Sequence, residues 1–124
     1  MRIFKNKVFS KWAAKERVSD KALKAAIQEI GNGLVDGNLG GNVYKKRVAI
    51  GGKGKSGGVR TILAFKVDDK AFFIYGFAKN ARANIRDDEV KALKKYAAEL
   101  LSYSDKQLKK AVDVGALVEV KIDG

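Results

Sequence analysis

Apolar residues recur along this chain in two rhythms, one helical and one alternating. Residues 2–5 (RIFK) read as a short strand. Val8, Phe9, Trp12, Ala13 and Glu16 then keep the spacing of a helix face. Ser19 is placed to N-cap a second helix over Ala22 to Ile30, whose apolar positions are Ala22, Leu23, Ala26, Ile27 and Ile30, with Gly31 as its stop. The stretch GNGLVDGNLGG that follows is too rich in glycine to predict regular structure. Three strands are predicted next: Val43 to Ile50, Val59 to Val67 and Ala71 to Phe77. The last two are apolar at nearly every position and are joined by Asp68-Asp69-Lys70, a hairpin signal, so they belong at the centre of a sheet.

Helical spacing returns at Val90, Leu93, Ala97, Leu100 and Leu101, behind Asp87, Asp88 and Glu89, acids that complement a helix dipole. Ser104-x-x-Gln107 reads as a capping box for a last helix to about Val114, and Leu117 to Ile122 alternates as a final strand. The order β-α-α-β-β-β-α-α-β predicts one α+β domain over residues 1–124: a small antiparallel sheet covered by helices, expected on one of its faces.

Charge changes this picture of an ordinary small domain. The 124 residues carry a formal charge of +12, unevenly spread. Residues 1–40 hold eight Lys/Arg against four Asp/Glu, residues 41–85 ten against two, and residues 86–124 eight against eight. A positive excess concentrated in one third of a chain is the footprint of a polyanion, usually nucleic acid. With no cysteine and no histidine, chemistry falls to Lys, Arg, Tyr, Asp, Glu or Ser, and no metal site is expected. The apolar runs are too short for a spanning helix, and residues 1–12 lack the apolar core of a secretory signal, so a cytoplasmic protein without a membrane partner is expected.

Residues 49–56, AIGGKGKS, satisfy a relaxed phosphate-loop pattern. A phosphate loop needs a helix directly after it, and here Gly57-Gly58 and the strand-like VRTILAF follow. The segment is better read as a connection between strands from which Lys53 and Lys55 reach toward a phosphate backbone.

On strand 43–50, alternation puts Lys45 and Arg47 on one face and Tyr44 and Lys46 on the other. Arg60 opens the next strand, and Lys79, Arg82 and Asn84 follow the third. With these strands as neighbours, Lys45, Arg47, Arg60, Lys79 and Arg82 converge on one basic surface, with Lys46, Lys53, Lys55 and Asn84 as further RNA-binding candidates. RNA supplies its own nucleophile, the 2′-hydroxyl. Arginine forks suit the charged phosphorus oxygens, and a lysine crowded by like charges can exchange a proton. Such a site needs the RNA bent into line by something else. Tyr75 or Phe77 faces this surface, depending on which strand face is open.

The stretch KSGGVRTILAFKVDDKAFFIYGFAKNARANI, with the helix RDDEVKALKKYAAELL after it, resembles the RelE/HigB-like branch of the RelE/ParE toxin superfamily. The shared pattern is Gly-x-Arg at a strand start, a hairpin, an apolar strand ending Gly-Phe, and Lys-x-x-Arg; the likeness covers roughly residues 3–120. The resemblance implies a fold like that of microbial ribonucleases. It also implies a toxin that acts as a metal-independent, cofactor-free mRNA endoribonuclease on the ribosome. Its partners would be a cognate antitoxin, a small DNA-binding protein, besides ribosome and mRNA. Carried over by position, Lys45 and Arg47 match the basic strand, Arg60 the phosphate-binding arginine, and Lys79 and Arg82 the basic residues after the last core strand; Lys45 is the candidate base. Several such enzymes carry a functional Tyr or His near the C-terminus, whereas here no aromatic residue follows Tyr103. ParE-like members, which share the fold and act on DNA gyrase, give the second reading, and a non-catalytic basic RNA-binding module the third.

Overall fold

The computed structural model describes residues 1–50, 58–67 and 69–121. The chain runs β1 (Arg2–Asn6), α1 (Lys7–Lys15), α2 (Asp20–Gly31), β2 (Gly37–Gly40), β3 (Val43–Val48), β4 (Val59–Lys66), β5 (Lys70–Ala78), α3 (Asp87–Leu101), α4 (Asp105–Asp113) and β6 (Leu117–Glu119). One six-stranded sheet has the order β2-β3-β4-β5-β1-β6. Only the β1–β5 pairing in it is parallel. The α+β class is as the periodicity predicts.

Helices cover both faces, which corrects the expectation of a single covered one. Under α1 and α2, Phe9, Ala13, Leu23 and Ile27 meet Val48, Val59, Leu63 and Phe73. Under α3 and α4, Ala97, Leu100 and Leu108 meet Val43, Ile62, Ala64 and Phe72. Strands buried on both sides cannot alternate polar and apolar residues, which is why β4 and β5 read as almost continuous apolar runs.

Local chemistry sets the helix starts. Asn6 ends β1 and caps α1: its Oδ1 accepts from the Phe9 N–H at 2.7 Å, while its amide donates to the Ile74 carbonyl of β5 at 3.0 Å. Ser19 caps α2 through the Ala22 N–H, and Ser104 and Gln107 form the capping box of α4. The strand not expected is β2. Its glycines hide the pattern, but Gly37 and Asn38 pair with Lys45 and Tyr44 on β3, and Gly40 and Gly41 take the left-handed conformations (φ 87° and 60°) that the tight β2–β3 turn needs.

A bulge in the β4–β5 ladder positions the site. Ile62 faces Tyr75, and its neighbour Leu63 faces Phe73, so Ile74 is an extra residue on β5. The extra residue reverses the parity of everything after it. Tyr75 and Phe77 therefore lie on the α3 face, and Gly76 turns toward α1. There the Trp12 ring occupies the space of a side chain: a Cβ on Gly76 would lie 2.1 Å from a ring carbon.

Candidate nucleic-acid interface

The basic residues of β3 and β4 form rows across the sheet on the α3 face. Arg47 stands directly opposite Arg60, which stands opposite Phe77. The next row on that face is Gly37, Lys45, Ile62 and Tyr75. The third, Val43, Ala64 and Phe72, is buried under α3 and α4. The sheet thus changes along its length from an apolar floor to an open cationic end.

Two arginines directly opposite each other repel, and such pairs destabilise a sheet. Arg47 is held by Asp36, whose carboxylate accepts the Arg47 backbone N–H at 2.7 Å and lies 3.5 Å from Nε. Arg60 is different. Its Nη1 is buried and has no hydrogen-bond partner among the described residues. A desolvated, unpaired guanidinium donor is costly, and an anion between the two arginines would remove both penalties. The stem of Lys45 lies over Gly37, where a Cβ would sit 3.5 Å from Cε.

Arg82 borders this row but is occupied. It pairs with both carboxylate oxygens of Glu89, in the first turn of α3, through Nη1 (2.9 Å) and Nη2. Its Nη1 also donates to the Tyr75 hydroxyl at 3.0 Å, and its Nε to the Asn84 carbonyl at 2.9 Å. The guanidinium lies over the rings of Tyr75 and Phe77, 6.0 and 5.8 Å from their centroids. The Arg82 fork, with help from the Arg86 backbone N–H, pushes the Glu89 carboxyl down to about 2, and the hydrogen bonds to Glu89 and Tyr75 raise Arg82 above its ordinary value. Arg82 is thus a strut joining the end of β5 to α3.

The sequence-predicted residues therefore divide. Lys45, Arg47 and Arg60 share one face, with Tyr75 and Phe77 beside them. Arg82 adjoins that group with most of its donors committed. Lys79 is exposed past the end of β5 and lines a shallow opening with Glu16, Ile50, Val59 and Ala78, the last three from the layer under α1 and α2. Asn84 shapes a turn, its Oδ1 accepting from the Ile85 N–H. Lys46 points to the opposite face, as alternation predicts, where it is 2 % exposed and pairs with Glu29 of α2 at 2.8 Å. Lys53 and Lys55 lie outside the described residues. Asp36 and Glu89, the carboxylates that hold Arg47 and Arg82, carry no mark of that role in the sequence, where residues 87–89 predict only a dipole complement.

Among the described residues no helix is long and apolar enough to cross a membrane. Nor do any three His, Cys, Asp or Glu side chains there gather as for a metal ion. The protein-family model described as "RelE toxin of RelE / RelB toxin-antitoxin system" matches residues 1–120. No curated protein matches the chain.

Proposed function

The chain belongs to the RelE toxin family, the toxin side of a toxin–antitoxin pair, and from that premise we propose that it arrests growth by cutting messenger RNA on the translating ribosome. The observation that carries this reading is the Arg47–Arg60 pair, with a buried Arg60 donor that has no hydrogen-bond partner among the described residues. In the reaction the 2′-oxygen bonds to phosphorus and the bond to the 5′-oxygen breaks. Arg60 and Arg47 hold the charged phosphoryl oxygens as that charge builds up. Lys45, two residues from Arg47 on the same face, takes the 2′-hydroxyl proton, and water protonates the departing 5′-oxygen. The site has no histidine, so it relies on the ribosome to bend the RNA into line. The antitoxin neutralises the toxin by covering or distorting this face.

The test is to induce the protein in cells and map mRNA ends with and without ongoing translation. Cuts in phase with codons, lost when translation stops, support the proposal; intact mRNA with poisoned gyrase selects the ParE-like reading. Arg60→Ala should lower cleavage about 10²–10³-fold, the usual loss for one transition-state donor, while the domain stays folded. Undiminished cleavage by that variant would remove Arg60 from the site.

A further inference from the structure

Strand β5 outruns its neighbour β1. The two pair only from Arg2↔Lys70 to Lys5↔Phe73, and the chain then turns into α1 at Lys7. From Tyr75 onward, β5 therefore has no strand on that side among the described residues. An opening of about 410 Å³ lies there between α1 and the end of β5, a size within the range of small-ligand clefts. Trp12, Lys15 and Glu16 border it from the α1 side, and Tyr75, Phe77 and Arg82 from the β5 side. Trp12 and Tyr75 are only partly buried. The Trp12 ring is braced on Gly76 and tilted against Phe9, their ring centroids 5.4 Å apart, so it is held in place before anything binds.

The opening is continuous with the cationic face. Phe77 belongs to both, since it stands directly opposite Arg60 in the Arg47–Arg60 row. Neighbouring strands lie about 5 Å apart, so the opening begins one strand spacing from the proposed phosphate site. Lys15 is exposed at its rim, and Arg82 adds a second cation. The Tyr75 hydroxyl accepts from Arg82, which leaves its own proton to donate, and the Glu16 carboxylate can accept from an amino group. Unstacked RNA bases are held by such sets of groups: an aromatic ring takes the flat face, a few hydrogen bonds take the edge, and cations alongside take the phosphates. An apolar peptide side chain would use neither the cations nor the Tyr75 proton. On the proposal that RNA is cut at the Arg47–Arg60 face, we infer that this opening is a base pocket. It takes the base of the single-stranded nucleotide next to the scissile phosphate and stacks it against Trp12.

Trp12 is the only tryptophan of the chain, so its fluorescence reports stacking without any need for cleavage. At low salt, where phosphate contacts are strong, the whole protein is titrated with three probes: a short single-stranded oligoadenylate, an abasic ribose-phosphate strand of equal length, and inorganic polyphosphate. Quenching by the oligoadenylate alone supports the pocket. Equal quenching by all three probes, or none by the oligoadenylate, overturns it. Binding of labelled strands gives a second measure. Trp12→Leu, which keeps an apolar side chain beside Gly76, should weaken oligoadenylate binding about 5- to 150-fold, the loss of one stacked base, and leave the abasic strand unaffected. Equal losses on both strands overturn the inference. Arg60→Ala should weaken both strands alike, while full quenching is still reached at saturation. The cleavage proposal stands or falls separately: codon-phased cuts without base quenching overturn the pocket alone, and base quenching without cuts overturns the cleavage alone.

Discussion

Arg47, Arg60 and Arg82 carry the same charge within one neighbourhood, and their partners separate their roles. Asp36 holds Arg47, Glu89 and Tyr75 hold Arg82, and among the described residues nothing accepts from Nη1 of Arg60. Strand parity made the shared face of Lys45 and Arg47 readable from the sequence. It also puts Lys46 on the far face, but does not show its pairing with Glu29, which lies on another element. Partners distant along the chain are what a single sequence hides. The Arg82–Glu89 contact gives a prediction at this scale. The Glu89 carboxyl sits at about 2 in the folded protein against an ordinary 4.5, so its stabilising contribution is complete above pH 4.5 and is lost as pH falls toward 2. Thermal melting from pH 5 to pH 2 should therefore show a shallower acid-induced drop in Glu89→Gln than in the parent.

At the scale of elements, caps and apolar spacing located every helix within a residue or two, and five of the six strands. What escaped was β2, whose glycines carry no pattern, and the bulge at Ile74, which depends on how two strands meet. The bulge matters because it decides that Tyr75 and Phe77 join the cationic rows while Gly76 receives Trp12. Gly76→Val drives a side chain into that ring and should lower stability by about 1–3 kcal/mol, read by chemical denaturation. Adding Trp12→Ala opens the space the valine needs, so the double variant should lose less than the sum of the two single losses.

The whole molecule is a sheet between two helical layers, and β6 reaches into both. Leu117 is buried under α3 and α4, whereas Val120, just beyond the strand, joins the layer of α1 and α2. Leu117→Ala should cost about 2–5 kcal/mol in chemical denaturation, as for other fully buried leucines. One topological fact carries a further consequence. The strand β1 is inserted between β5 and β6, both of which are made after it. A nascent chain must leave Phe4, which stacks on Phe72 in the finished protein, waiting for neighbours not yet translated. Closure of this sheet therefore waits on translation: its first strand finds its two neighbours only once β6 has been made.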